Sequence, residues 1–186
     1  MKRFFALLAI LLLASCIDVD DFGTYWAKTS LDPAAKGNWT KIPVAGEDPS
    51  EANVKCSVTE KDKAYESRCD DNGKADSEPD YPVKTLDVSP YHFFAVGNHD
   101  GKPGGHLFKY AIKDDKLTLY TPKAEAILGL IQKNHPNASN IMKDQVLSSP
   151  VLKIKTFDDE VFKILSEIPD NETYWKATTT FQRDKN

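Results

Sequence analysis

Residues Phe4 to Ala14 form an unbroken apolar run of eleven, preceded by Lys2 and Arg3 and followed by the small residue Ser15. A helix needs about 20 apolar residues to cross a hydrocarbon layer of roughly 30 Å, so this run is too short for a permanent span. A basic start, a short apolar stretch and a small residue at its exit read as a secretory leader, residues 1–15. The rest of the chain must then build its fold from residues 16–186 in an oxidising compartment, where cysteines can pair.

Leu13-Ala14-Ser15-Cys16 resembles the lipobox of bacterial lipoproteins. The resemblance implies that Cys16 is the lipidation site, taking a diacylglycerol thioether. It also implies that the bond before Cys16 is cut and that the new N-terminus receives a further acyl chain such as palmitate. Three chains suffice for stable anchoring, because each buried CH₂ contributes about 0.8 kcal/mol and one chain alone binds only marginally. In the sorting rule of such lipoproteins an Asp directly after the lipidated Cys retains the protein in the inner membrane. Ile17 stands there, so the expected address is the outer membrane of the cell, by a lipid anchor, with the domain facing the periplasm or the cell surface.

The cysteine count agrees. Three Cys leave one odd thiol in a secreted chain, but with Cys16 lipidated, Cys56 and Cys69 remain as an even pair. Their disulfide would close a loop of about 14 residues and stabilise by on the order of 3 kcal/mol. No second Cys or His pair stands beside them at zinc-ligand spacing, so no metal site and no cofactor are expected. Removing Lys2 and Arg3 takes the formal charge from −4 to −6. That balance argues against a nucleic-acid partner and leaves the acyl chains as the link to the membrane.

Residues 16–36 mix Asp, Gly and Pro and are expected to be the lipidated Cys and a tether, with 37–186 forming a single β-rich domain. Gly37-Asn38-Trp39 opens a short strand to Val44, and a Gly-x-Trp at the head of a β-rich chain resembles the lipocalins, whose Trp plugs the barrel floor. Sixteen charged residues crowd the 41 positions from Pro43 to Val83, which leaves little to bury; strands over 54–58 and 63–68 there lean on the disulfide. Strands follow at Val83 to Val88, Tyr91 to Val96, His106 to Ile112 and Lys116 to Tyr120, the last two joined through Lys113-Asp114-Asp115 as a tight hairpin. Thr121 and Pro122 should open a helix that ends at Asn134-His135-Pro136. Leu147 to Thr156 then reads as a strand, leading to a capping arrangement at Thr156 to Asp159. That opens a second helix with Val161, Phe162, Leu165 and Ile168 on its buried stripe. Thr173 to Phe181 is a final strand placed to close a barrel beside the first. The expected class is α+β, mainly antiparallel β, lipocalin-like or another small barrel or meander, with two short helices in the C-terminal half.

Three constellations bear on chemistry. Gly97-Asn98-His99-Asp100 resembles a metal-binding block of calcineurin-like metallophosphoesterases, but the Asp-x-His and Gly-Asp-x-x-Asp that family needs upstream are missing from the sequence. The turn reading is therefore preferred. His92, His99, Asp100 and His106 lie within fifteen residues, yet no helical i, i+4 pair fixes a ligand geometry, and exposed His is the expectation. No Gly-x-Ser-x-Gly elbow or Ser-x-x-Lys is present for nucleophilic catalysis. The expected function is a lipid-anchored, non-enzymatic binding module of the cell envelope, with a barrel-mouth pocket lined by Trp39, Phe93, Phe108, Tyr110 and Trp175. Its partner would be a small apolar ligand or an envelope protein. The alternatives are an inhibitor or immunity lipoprotein against an envelope-directed enzyme, and a metal-dependent hydrolase.

Overall fold

Period-two alternation is the pattern that writes the middle of the chain. The strand Tyr91–Gly97 alternates buried and less buried residues at every step, as a half-covered sheet demands. The computed structural model describes residues 17–43, 54–61, 64–71, 74–75, 82–98, 101–146 and 149–185. In chain order its elements are β1 (Ile17–Val19), α1 (Tyr25–Lys28), a 3-10 turn (Pro33–Ala35), β2 (Gly37–Lys41), β3 (Val54–Lys61), β4 (Ala64–Asp71), β5 (Lys74–Ala75), β6 (Val83–Val88), β7 (Tyr91–Gly97), β8 (Gly105–Lys113) and β9 (Lys116–Pro122). There follow α2 (Ala124–Asn134), β10 (Ile141–Val146), β11 (Ser149–Ile154), α3 (Asp159–Glu167) and β12 (Trp175–Arg183).

Eight of these strands close a barrel. From β2 through β3, β4, β6, β7, β8 and β9 to β12 each strand pairs antiparallel with the next, and β12 returns to β2 through Phe181↔Lys41 and Arg183↔Trp39. The final strand thus closes beside the first, as the sequence led us to expect. The β8–β9 hairpin turns on Asp114 and Asp115, both at positive φ (51° and 57°), a two-residue turn whose twist matches that of the strands. Between β4 and β6 the wall is held by Tyr65↔Val83, and Ser30 continues the seam, exchanging two 2.8 Å backbone hydrogen bonds with Thr85.

β8 is shared by the barrel and by a flange of the same sheet. One edge takes β7; the other takes β9 along Lys109–Lys113 and β1 along Gly105–Leu107. β1 pairs in turn, in parallel, with β11, and β11 with β10, so a flange of three strands leaves the barrel at β8. The three helices and this flange enclose the larger apolar core, which includes Ile17, Phe22, Leu86, Phe93, Leu107, Ile127, Leu152, Phe157, Leu165 and Trp175. Each such side chain taken fully from water contributes about 1.5–3 kcal/mol.

Several expectations are corrected. Ile17 to Lys36, read as a tether, is built into the fold: Ile17 and Val19 are 1 % exposed, and Phe22 and Tyr25 pack on Phe157 at ring separations of 6.4 and 4.9 Å. Pro122 does not open α2; it stays in β9 opposite Trp175, and the Lys123 amide is held by the Tyr174 carbonyl at 2.8 Å, so the helix starts at Ala124. β10 was not foreseen. The second predicted helix stands, with Asp158 as its cap: the carboxylate accepts from the Val161 amide at 2.9 Å.

Candidate functional site

A second, smaller core draws on every barrel strand: Trp39 from β2, Val58 from β3, Tyr65 from β4, Val83 from β6, Phe94 from β7, Tyr110 and Ile112 from β8, Leu117 and Leu119 from β9, and Phe181 from β12. Only the inside of a closed barrel can be lined by all its staves, so these residues mark the lumen.

One end of that lumen is sealed. Asp32 caps the 3-10 turn by accepting from the Ala34 amide, and Pro33 suits the first position of such a turn. The Trp39 indole N–H donates to the Ala35 carbonyl at 3.0 Å, and the ring is 1 % exposed. Arg183 lies over it, its guanidinium carbon 4.2 Å from the ring centre, and donates to the carbonyls of Lys36 at 2.6 Å and Ala34 at 2.5 Å. Gly37 between them has φ +137°, and a Cβ there would come within 2.7 Å of Arg183 Nη1. Strand, turn and closing strand are thereby locked together. The Trp39 plug was legible as Gly-x-Trp; Arg183 was missed, although it is one of three arginines in a chain that otherwise uses lysine.

Above the plug the lumen carries a polar knot. Tyr110 donates to Asp32 Oδ2 at 2.9 Å and Tyr65 to the Asp32 carbonyl at 2.5 Å. Burial first, and then the Asp32 carboxylate, push both phenols above their ordinary range. Phe94 stacks on Tyr110 at 4.0 Å. Around them Phe94, Ile112, Leu119 and Phe181 are only half-buried although they face inward. Alternation puts the half-buried Phe108 on the same face of β8 as Tyr110.

The five aromatics expected to share a pocket therefore divide. Trp39 and Tyr110 are in the lumen core, and Phe108 shares their side of the sheet. Phe93 and Trp175, 6.1 Å apart, belong to the helix-covered core on the opposite face. Phe93 and Phe94 are neighbours in sequence and necessarily point to opposite sides of β7.

That outer core holds an unexpected cation. Lys109 is 4 % exposed; its amine sits 4.6, 4.7 and 4.6 Å from the rings of Tyr91, Tyr120 and Trp175 and pairs with Asp170. Burial lowers its pKa, opposed by Asp170. A cleft of about 320 Å³ lies elsewhere, between α1, α3 and β6, lined by Tyr25, Lys28, Ser30, Leu86, Asp87 and Phe162. Lys28 there leans on the Tyr25 ring at 4.0 Å and on Asp159 at 3.6 Å, and Tyr25 donates to the same carboxylate.

Cys56 and Cys69 face each other across β3 and β4 and are joined as a disulfide, so the expected pairing stands. Of the histidines, His92 pairs with Asp87 at 2.6 Å and His106 with Asp18 at 3.5 Å. In register His92 faces Tyr110 while His106 faces Val96, four residues further along the ladder, so the two imidazoles are not brought together. His99 and Asp100 lie outside the described residues, as does Cys16. Asn98 takes part in the turn expected there, its amide bonding to Gly104 O at 3.2 Å. Among the described residues no group of three or more His, Cys, Asp or Glu is placed to hold a metal ion, and no helix is long and apolar enough to cross a membrane. Comparison of the chain with protein-family models, with curated proteins and with solved structures found no match.

Proposed function

We propose that the chain is a lipid-anchored lipoprotein of a bacterial outer membrane whose barrel is a non-enzymatic binding module for a small apolar ligand. The observation that carries this reading is the lumen: a barrel sealed at one end by Trp39 and Arg183, with inward apolar side chains that are left half-buried. Inward apolar side chains that are only half-buried leave surface that a bound apolar ligand would take from water, which supports a binding role. The polar groups facing the lumen are engaged with one another, Tyr110 and Tyr65 with Asp32, which suits them to shaping a cavity more than to moving protons. Leu13-Ala14-Ser15-Cys16, with Ile17 after it, supports the anchor and the address.

Two mass measurements test the proposal. Full-length protein from an expressing bacterium should have lost residues 1–15 and gained three acyl chains on Cys16; an unmodified Cys16 sinks the anchor. The Cys16→Ser domain should retain a small apolar molecule or take up an alkyl-chain probe in native spectra, and Phe94→Asp should abolish uptake while leaving the fold cooperative. Uptake unchanged in Phe94→Asp sinks the lumen as the site.

A further inference from the structure

A lipoprotein commonly needs slack between its acyl chains and its domain, and here the fold has used the slack up. Residues 17–36 as a flexible tether would give a root-mean-square reach of about 25 Å. Instead Ile17 is already a sheet residue, 1 % exposed and paired on both sides, with Leu107 of β8 and Leu152 of β11. Cys16 is joined to it by one peptide bond, and one extended residue spans at most about 3.6 Å.

We propose that the domain stands directly on the bilayer, with its β8–β1–β11 side against the lipid headgroups and the β3–β4 hairpin directed away. The placement rests on the lipid anchor proposed above and deepens it. Its direction follows from the topology: β3 is four strands from β8 by either route around the eight-stranded barrel, hence diametrically opposite. The surface beside the N-terminal end of β1 suits a lipid neighbour. Pro150, two residues before Leu152, is exposed, and residues 149–152 carry no charge. Three carboxylates of the flange and its approach, Asp18, Asp20 and Asp144, lie 3.8, 3.0 and 3.7 Å from the Lys153 amine.

The test uses the full-length acylated protein in phosphatidylcholine vesicles containing a headgroup nitroxide lipid. A fluorophore is placed on one engineered cysteine, at Pro150→Cys or Gln145→Cys near the anchor and at Thr59→Cys on β3. Gln145 is exposed opposite Pro150, so either variant serves if the other folds poorly. Cys16 is acylated and Cys56 and Cys69 are bonded, so only the new thiol reacts. Each preparation is weighed first, because absence of acyl chains overturns the anchor itself, a result distinct from a wrong placement. With the chains present, strong quenching at position 150 or 145 and little at 59 is expected. Ten Gly and Ser residues inserted between Cys16 and Ile17 add about 18 Å of reach and should lower the first signal to the level of the second. Equal quenching at the two places, or a signal at 150 and 145 that survives the insertion, overturns the placement.

Discussion

Arg183→Ala is the substitution that most directly tests the sealed floor. The side chain makes two charge-assisted hydrogen bonds to backbone carbonyls, a stacking contact with Trp39 and a 3.5 Å approach to Asp115. Hydrogen bonds to charged groups contribute roughly 1.5–3 kcal/mol each when buried. Here the side chain is 28 % exposed and the Lys36 and Ala34 carbonyls can turn to water, so about 1 kcal/mol each is the better figure. The stacked guanidinium adds about 0.5–1 kcal/mol, and the exposed pair with Asp115, whose side chain is 69 % exposed, adds little. The sum is about 2–3 kcal/mol, or a fall of roughly 5–10 °C in Tm for a domain of this size. The assay is urea unfolding of the Cys16→Ser domain with its disulfide intact, where the midpoint should drop at constant slope. Arg183→Lys should recover less than half, because one ammonium cannot stack on the indole and serve two carbonyls as the planar fork does. A loss below about 0.5 kcal/mol for the Ala variant, against the 2–3 kcal/mol summed from these contacts, would refute the argument, as would full recovery with Lys.

Further predictions follow from the same contacts. Gly37→Ala should destabilise by about 1–3 kcal/mol, since its φ of +137° strains any side chain and the Cβ meets Arg183; in an Arg183→Ala background the added loss should shrink, as a double-mutant cycle would show. Reducing Cys56–Cys69, or replacing both by Ser, should cost about 3 kcal/mol in urea unfolding. Lys109→Met should change stability by less than about 1 kcal/mol or raise it, since a desolvated ion pair often does no better than an apolar isostere, and a single cooperative urea transition of unchanged slope would show the core intact. Alkaline titration should weaken the fold: burial raises Tyr25 to about 12, helped by its bond to Asp159, and raises Tyr65, Tyr91, Tyr110 and Tyr120 as well. Groups raised above their unfolded value of 10 contribute stability that is whole below pH 10 and lost as pH climbs through the folded values. The lowered pKa of Lys109 acts with the opposite sign below 10.5, so urea midpoints should fall between pH 10 and 12 despite it.

The strands that carry strong alternation were legible: β6 to β9 fall where β-branched and aromatic runs meet Gly and Asp turns, and α3 where four apolar residues follow a capping Asp. β1 was not, because Ile17-Asp18-Val19 is three residues long and gains its stability wholly from partners 90 and 135 positions away. β10 was hidden because Lys143, Asp144 and Gln145 form a polar run that only the pairing with β11 makes a strand. The aromatics of the site were found as residues but not as a set. Alternation sorts Phe93 from Phe94 and Lys109 from Tyr110, yet nothing in the sequence alone says which face is inside a barrel and which lies under helices. The inward stacking of Phe94 on Tyr110, and the cage around Lys109, became visible only with the cross-strand register.

The double use of β8 also dictates when the molecule can be completed. Its one edge must receive residues 17–19 and residues 116–120, and the barrel it belongs to shuts only when residues 175–183 reach β2, the first stave. A chain still being made can therefore pair its local hairpins but must hold β2 and β9 as bare edges, open to other chains, until residues 175–183 are free. For this protein β12 acts as the clasp, and a nick or truncation before Trp175 would release two adhesive edges at once.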